Sequence, residues 1–353
     1  GQITSYHVFE SKPHLRRNNR IRSIHSSLAI EANSLSVDDV RGVIDGKSLP
    51  VIEIIPKEGF KLIVADYNAI EARVLAFMAG EQWVIDAFER GDDIYCTVAS
   101  QMFGVPVEEN GKNAELRTKG KISVLALGYG GACGALKNMG ALEMGIKEEE
   151  LEDLVESWRE ANPMITKYWY RCGHAAVSAI ENKSWAQVGA LTFRYAGDTL
   201  FITLPSGRDL AYKDAYVQTN DRGFKEVVYT SPTKNNEVTI SGPKFVENII
   251  QGISRDLLAN ALINLAKYNP VGHVHDEVIC EVPMDTDVKT ICDIMPIWQV
   301  LTLNMMFDTK IHRSVITIQI FFDKPSSTDS IARQQAQLLV YVHFYAFADF
   351  FRT

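Results

Sequence analysis

Two aspartates stand where strand-like apolar runs end or turn. Asp66 closes the run FKLIVADY, and Asp276 lies within GHVHDEVICEV, which reads as a hairpin whose alternation puts Asp276 on the same side as Val274 and Val278. A buried carboxylate is costly unless it is paired or binds a metal ion. If the two strands are neighbours, the two carboxylates repel each other, and divalent cations relieve that repulsion.

The ligand chemistry of this pair favours magnesium. Oxygen ligands without His or Cys clusters suit Mg²⁺, and two such ions support in-line displacement at phosphorus. Acidic residues at strand ends are more often caps or turn residues, and this alternative stands for either motif taken alone. The presence of both motifs, with a basic helix between them in the sequence, favours a two-magnesium site.

The basic helix lies in ELRTKGKISVLALGYGG. Arg117, Lys121 and Tyr129 fall near one helical face, and Lys119 adds positive charge. Arg can bind phosphate through two N–H groups and Lys acts as a point charge, so this face suits a triphosphate. A tyrosine two turns further along can stack on a base. The alternative is a solvated basic face, and the Gly128–Gly131 run is no P-loop because no Gly-Lys-Ser/Thr follows.

Strand-like and helical runs are separate along the chain, which favours an α+β fold over a repeating βαβ pattern. We predict three blocks: two helices joined by a turn in 1–49, a mixed unit of helices and strands in 50–303, and a tail in 304–353. In the second block, helices dominate from Gln82 to Glu181, and strands from Thr192 to Tyr229. The tail reads as the strand VITIQIFF, a polar linker and a final apolar helix from Leu338.

Composition excludes several classes of protein. The 353 residues carry a formal net charge of −8, which argues against a generally basic nucleic-acid binder but allows a local basic patch. The five cysteines form no C-x-x-C pair, so neither a zinc site nor a disulfide framework is indicated. No signal peptide is recognisable, and the longest apolar run is short for a membrane span. We therefore expect an intracellular protein.

Three segments together resemble the family A DNA polymerases, specifically the phage-type branch. DYNAIEARVLA resembles motif A, RTKGKISVLALGYGG motif B, and HVHDEV motif C, in the order of that family. The resemblance covers about Ile54 to Leu303. It implies a palm of antiparallel sheet and helices, helical fingers, two Mg²⁺ ions, primer–template DNA and dNTPs.

The resemblance also implies residue roles. Asp66 and Asp276 would bind the metal ions, with the Tyr67 carbonyl as a further ligand and Glu277 as a secondary carboxylate. Arg117 and the catalytic Lys121 would hold the phosphates of the incoming nucleotide. Glu71 would contact the sugar and Gln251 the minor groove of the duplex. Tyr129 would lie near the nascent pair and the template, and His275 near the primer terminus or the triphosphate. Leu125 replaces an aromatic residue that many members carry.

Segments expected of the family are not recognisable in this chain, namely the proofreading exonuclease, the thumb and the upstream palm element. Most DNA-binding energy comes from phosphate contacts, so we expect weak DNA affinity unless an accessory protein supplies the grip. We expect no membrane partner and a cytoplasmic location, as for a phage or prophage protein in a bacterial host.

Residues 1–49 resemble a different family. RNNRIRSIHSSLAIEANSLSVDDVRGVIDG resembles the inhibitory-helix region of Fic-family AMP-transferases, with Ser27 and Glu31 matching and Ala32 replacing Gly or Asn. The Fic core motifs are not found in the chain. The sequence therefore leaves three hypotheses: an active polymerase module, a polymerase remnant that binds nucleotide or DNA without catalysis, and a Fic-type regulatory fragment.

Overall fold

The computed structural model describes residues 51–221, 223–231, 236–295, 307–312, 316–321 and 339–343, with side chains from residue 54 to residue 295. The two predicted helices of residues 1–49 lie outside them. The helices are α1 Ile70–Ala79, α2 Gln82–Arg90, α3 Ile94–Phe103, α4 Leu116–Leu127, α5 Cys133–Asn138, α6 Leu151–Ala161, α7 Pro163–Glu181, α8 Gly242–Asn264 and α9 Val288–Ile294. The strands are β1 Val51–Ile54, β2 Phe60–Tyr67, β3 Trp185–Val188, β4 Leu191–Ala196, β5 Thr199–Thr203, β6 Asp209–Tyr212, β7 Tyr216–Thr219, β8 Lys225–Thr230, β9 Glu237–Ile240, β10 Pro270–Val274, β11 Glu277–Pro283, β12 Phe307–His312, β13 Ile316–Phe321 and β14 Leu339–His343.

A four-stranded antiparallel sheet forms the base of the candidate site. Its order is β10-β11-β2-β12, so β2 has hydrogen-bonded neighbours on both sides. This central position explains why FKLIVADY is a continuous apolar run, since nearly all of its side chains are buried. The α+β prediction is confirmed, as are the strand at FKLIVADY and the helix that follows it.

The predicted helical region from Gln82 to Glu181 is occupied by α2 to α7. α1 joins this region to the sheet, and Arg73 of α1 is buried with its guanidinium carbon 4.1 Å from the centroid of the Phe88 ring. Its Nε donates to the Asn68 carbonyl at 2.7 Å, and burial lowers the pKa of Arg73 to about 10. The predicted strand region is occupied by the β3-β4-β5-β6 sheet and by the start of the β7-β8-β9 sheet, and both sheets contact α7.

The prediction of a final helix from Leu338 is wrong. Leu339–His343 forms β14, which pairs antiparallel with β13. Its alternating β-branched and aromatic residues suit a strand, and β13 offers a partner for its backbone groups. The prediction of a strand at VITIQIFF is confirmed. β12 belongs to the same sheet as β2, and β13 pairs with β1, while the division into three blocks stays a prediction. Among the described residues, no helix is both long and apolar enough to cross a membrane.

A buried carboxylate, Glu81, holds the start of α7. Its side chain is 3% exposed, and its Oε2 accepts hydrogen bonds from the backbone N–H groups of Met164 at 2.8 Å and Ile165 at 3.2 Å. We expect Glu81→Ala to lower the free energy of unfolding by about 1–3 kcal/mol, because two buried donors lose their acceptor. Glu81→Gln keeps an acceptor oxygen and should cost less. Urea denaturation tests this, and a loss no larger than that of the exposed Glu89→Ala would contradict it.

Candidate active site

The hairpin of β10 and β11 carries the second aspartate in its turn. Val274 pairs with Glu277, so His275 and Asp276 form a two-residue turn, and His275 adopts a left-handed φ of 48°. The predicted hairpin is confirmed, but the predicted placement of Asp276 on the strand alternation of Val274 is wrong. A positive φ is uncommon for residues other than Gly, although His, like Asn and Asp, adopts it more often than most, so the residue type is only a weak signal for this turn.

The structure brings Asp66 and Asp276 together. The Cα partner of Asp66 across the β2–β11 ladder is Glu277, which directly follows Asp276. Burial, and after it the nearby Asp66 carboxylate, raise the pKa of Asp276 to about 8. Glu277 and Glu71 contribute smaller effects of the same sign. Three other acidic side chains therefore lie near enough to Asp276 to raise its pKa.

The donor chemistry of this position fits magnesium. Two carboxylates carry the same charge and repel each other. A divalent cation between them lowers the free energy of the pair. Mg²⁺ is typically held by one or two carboxylates, with water and substrate phosphate completing its shell. Among the residues with described side chains, no group of three or more acidic, His or Cys side chains is placed to hold a metal ion, and the role of Glu277 as a secondary ligand stays a prediction. The Tyr67 side chain turns to the Met295 carbonyl, to which its hydroxyl donates at 2.9 Å.

Arg117 of α4 is held by a carboxylate that the sequence did not indicate. Its Nη2 and Nε donate to Asp93 Oδ2 at 2.6 and 3.0 Å, and its Nη2 lies 3.5 Å from Glu109 Oε1. Asp93 also caps α3 by accepting from the Cys96 N–H. Burial alone would raise the pKa of Asp93, but the hydrogen bonds from Arg117 and Cys96 lower it overall. The guanidinium is therefore fixed in place, with N–H groups left over from its five donors.

Lys121 shares a face of α4 with Arg117. The Arg117 guanidinium carbon lies 5.4 Å, and the Lys121 ammonium 5.8 Å, from the centroid of the Tyr95 ring. Lys121 is exposed, whereas Lys119 pairs with Glu150 at 2.9 Å on another side of the helix. The predicted common face of Arg117 and Lys121 is therefore observed, and Lys119 is directed away from it. The prediction that Tyr129 shares this helical face is wrong, because α4 ends at Leu127.

A hydrogen bond links the end of the basic segment to the first turn of α1. The Tyr129 hydroxyl donates to Glu71 Oε2 at 2.8 Å. Burial raises the pKa of Glu71, with a further rise from Glu247 of α8 that the hydrogen bond from Tyr129 opposes. Gly130 follows with a φ of 77°, and an added Cβ there would lie 2.5 Å from Pro243 Cβ. The basic segment is thus held close to both α1 and α8.

The remaining predicted residues lie around this centre. Gln251 is partly exposed on α8, and His275 is exposed in the turn next to Asp276. Ser27 and Glu31 of the Fic-like segment lie outside the described residues, and that assignment stays a prediction. Sequence reasoning missed Asp93, Tyr95 and Glu247, whose contacts join segments far apart in the chain.

Comparison with solved structures identifies the fold as that of a polymerase domain. The POL domain of Pol1 from M. smegmatis, in complex with DNA primer-template and dNTP, superposes with a TM-score of 0.51 at 21% identity. The match covers 74% of this chain and 41% of that one. An antiparallel palm sheet beside helical fingers is therefore the architecture of this chain.

Sequence comparison finds a protein family and several relatives that part of this chain resembles. Residues 52–185 match DNA polymerase family A. The DNA polymerase of Bacillus phage SP02 is 45% identical over 236 residues, which are 65% of this chain and 36% of that protein. DNA polymerase I of Lactococcus lactis subsp. cremoris is 28% identical over 249 residues, which are 67% of this chain and 24% of that protein. These matches show that a large part of the chain is similar to DNA polymerases of family A, and the chain spans about a third or less of the length of these relatives.

Proposed function

We propose that this chain is a template-directed DNA polymerase module that transfers a nucleotidyl group from a dNTP to a primer 3′-OH. The observation that carries the proposal is the convergence of Asp66 and Asp276 at the end of one sheet, where burial and then the Asp66 charge raise the pKa of Asp276 to about 8. The polymerase names of the relatives and the family match support the same reaction.

Each residue of the site has a separate role in the proposed reaction. Asp66 and Asp276 would hold two Mg²⁺ ions, with the Tyr67 carbonyl as a further ligand. When bound, these ions activate the attacking hydroxyl and stabilise charge on the leaving pyrophosphate. Arg117 and Lys121 hold the triphosphate through charge-assisted hydrogen bonds. Asp93 and Tyr95 orient the Arg117 guanidinium. The Arg117 side chain therefore loses less conformational entropy when it binds the triphosphate.

Four further residues around the site indicate the substrates of the proposed reaction. Glu71, fixed by Tyr129, excludes the 2′-OH of a ribonucleotide, and Tyr129 lies beside the nascent base pair. Gln251 contacts the minor groove of the duplex, and His275 lies near the primer terminus. Primer–template DNA and dNTPs are therefore the proposed partners. An accessory protein would strengthen the weak DNA binding by adding contacts with the phosphates.

A primer-extension assay tests the proposal. We expect Mg²⁺-dependent extension of a labelled primer by the chain and none by Asp276→Ala, with the exposed Asp285→Asn as the charge-matched control. Full activity of Asp276→Ala would overturn the proposal. Mg²⁺-dependent dNTP binding without any extension would instead favour a polymerase remnant that binds but does not catalyse.

A further inference from the structure

The turn between β5 and β6 is hydrogen-bonded to α8 beside Gln251. This turn covers residues 204–208, and the Arg208 side chain extends from it to the helix. Arg208 Nη2 donates to the Gly252 carbonyl at 2.8 Å, and its Nε donates to Asp256 Oδ1 at 2.8 Å. One guanidinium therefore bonds both the backbone and a side chain of α8, and the backbone contact is at the residue directly after Gln251.

Two other residues of the turn lie against the same part of the helix. The Ser206 hydroxyl donates to Asp256 Oδ2 at 2.6 Å, so both oxygens of this carboxylate accept a hydrogen bond from the turn. A Cβ built on Gly252 would lie 2.9 Å from Leu204 Cδ1, whereas carbon atoms normally approach to about 3.5–4.0 Å. The turn is thus packed directly on the helix backbone at Gly252.

Strand β6 adds a contact on the other side of Gln251. Asn248 Nδ2 donates to the Tyr212 hydroxyl at 2.9 Å, and Asn248 precedes Gln251 by almost one helical turn. The contacts made by Arg208 follow Gln251 along the same helix. The hairpin of β5 and β6 therefore holds α8 both before and after Gln251. Such contacts restrict the rotation of the helix about its own axis.

The rotation of α8 determines where the Gln251 amide lies. An α-helix with its side chains is about 10–12 Å across, so the amide is about 6 Å from the helix axis. A rotation of about 10° would move it by about 1 Å, which is enough to break a hydrogen bond of normal length. A displacement of about 1 Å at a substrate contact can also slow an enzymatic reaction substantially. The hydrogen bonds of Arg208 oppose this rotation.

We propose that Arg208 is a positioning residue for nucleotidyl transfer: through Gly252 and Asp256 it sets the rotation of α8 that directs the Gln251 amide to the DNA minor groove. This inference rests on the proposed function, in which Gln251 contacts that groove. Base pairs of either kind present purine N3 or pyrimidine O2 acceptors there, and the Gln251 amide N–H group can donate to them. Arg208 itself contacts neither the DNA nor the dNTP.

Extension of primer–templates that carry a single 3-deazapurine tests the inference. This base keeps its pairing but lacks the N3 acceptor, and it would be placed at one position at a time near the primer end, on either strand. For the wild type, kcat/KM should fall about tenfold at one position, the loss expected for one hydrogen bond. Gln251→Ala should be insensitive to the analogue. Arg208→Met should reduce the penalty to about threefold or less and leave the KM for dNTP unchanged.

Two variants separate this role from a general loss of charge or stability. Arg194→Met is the matched control, because Arg194 lies on β4 of the same sheet and pairs with Asp209 of β6 at 3.4 Å. It should leave the analogue penalty unchanged. Ser206→Ala removes only one hydrogen bond to Asp256, so it should lower the penalty by less than Arg208→Met does. This milder change keeps the test decisive if Arg208→Met does not fold.

The outcomes distinguish positioning from a purely structural role. If Arg208 only stabilises the fold, Arg208→Met lowers the midpoint of urea unfolding while the analogue penalty stays at the wild-type value, and the inference is overturned. A wild type with no penalty at any position also overturns it. Extension of the unmodified primer tests the proposed function separately. A protein that extends this primer but shows one penalty for the wild type and Arg208→Met keeps its proposed function and loses only this inference.

Discussion

Asp276→Asn should stabilise the metal-free protein while removing its response to Mg²⁺. Asp276 is half-buried next to Asp66, and burial together with that carboxylate raises the pKa of Asp276 to about 8. A neutral amide of the same shape removes the repulsion, so the free energy of unfolding near pH 8 should rise by about 1–2 kcal/mol. Nucleotidyl transfer should fall by roughly 10³-fold or more, since several kcal/mol of transition-state stabilisation depend on the bound metal.

The pH dependence gives this prediction a second measurement. The folded pKa of Asp276 lies above its value in the unfolded chain, so the folded state binds the proton more tightly. The metal-free wild type should therefore lose stability as the pH rises from about 4 to about 8, and Asp276→Asn should lose less. Thermal unfolding with and without Mg²⁺ measures both effects, with Asp285→Asn as the control. A metal-free variant less stable than the wild type would contradict the prediction.

Glu71→Ala should lower the preference for deoxyribonucleotides over ribonucleotides by roughly 10- to 200-fold, the range for exclusion by the shape of a pocket. The Glu71 carboxylate cannot easily move aside, because the Tyr129 hydroxyl holds it at 2.8 Å. Removing this side chain opens the space that a 2′-OH would need. The ratio of kcat/KM for dATP and ATP on one primer–template measures the effect.

Tyr129→Phe distinguishes the role of the hydrogen bond from that of the carboxylate. Tyr129→Phe keeps the Glu71 carboxylate but removes the hydrogen bond that fixes its orientation. The preference for deoxyribonucleotides should therefore fall by less than in Glu71→Ala. Glu115→Ala, which removes an exposed carboxylate just before α4, is the matched control and should leave the ratio unchanged. If Glu71→Ala also leaves the ratio unchanged, Glu71 does not select the sugar.

Local patterns in the sequence were sufficient for the main elements. The apolar run ending at Asp66 gave β2, the amphipathic repeat after it gave α1, and the flanking strand patterns gave the hairpin around Asp276. These features depend on neighbouring residues and on burial, which periodicity reports directly. The expectation that Asp66 and Asp276 lie at the ends of two adjacent strands is confirmed by the β2–β11 ladder, since Asp276 directly precedes β11.

Other features depend on partners that no local pattern identifies. Asp93 and Arg117, like Glu71 and Tyr129, meet only because the fold brings distant segments together. The turn at His275 uses a backbone conformation that its residue type rarely adopts. The composition of the run from Leu338 is compatible with a helix or a strand. It forms a strand because the edge of β13 provides hydrogen-bonding partners for its backbone.

The position of β2 between β11 and β12 restricts how the length of this strand can change during evolution. Side chains alternate between the two faces of a strand, so one added or deleted residue between Phe60 and Asp66 would move the Asp66 carboxylate to the opposite face. Because both edges of β2 are already paired, the strand cannot slip to compensate. Natural variation in length should therefore accumulate in the connections around this strand and spare the strand itself.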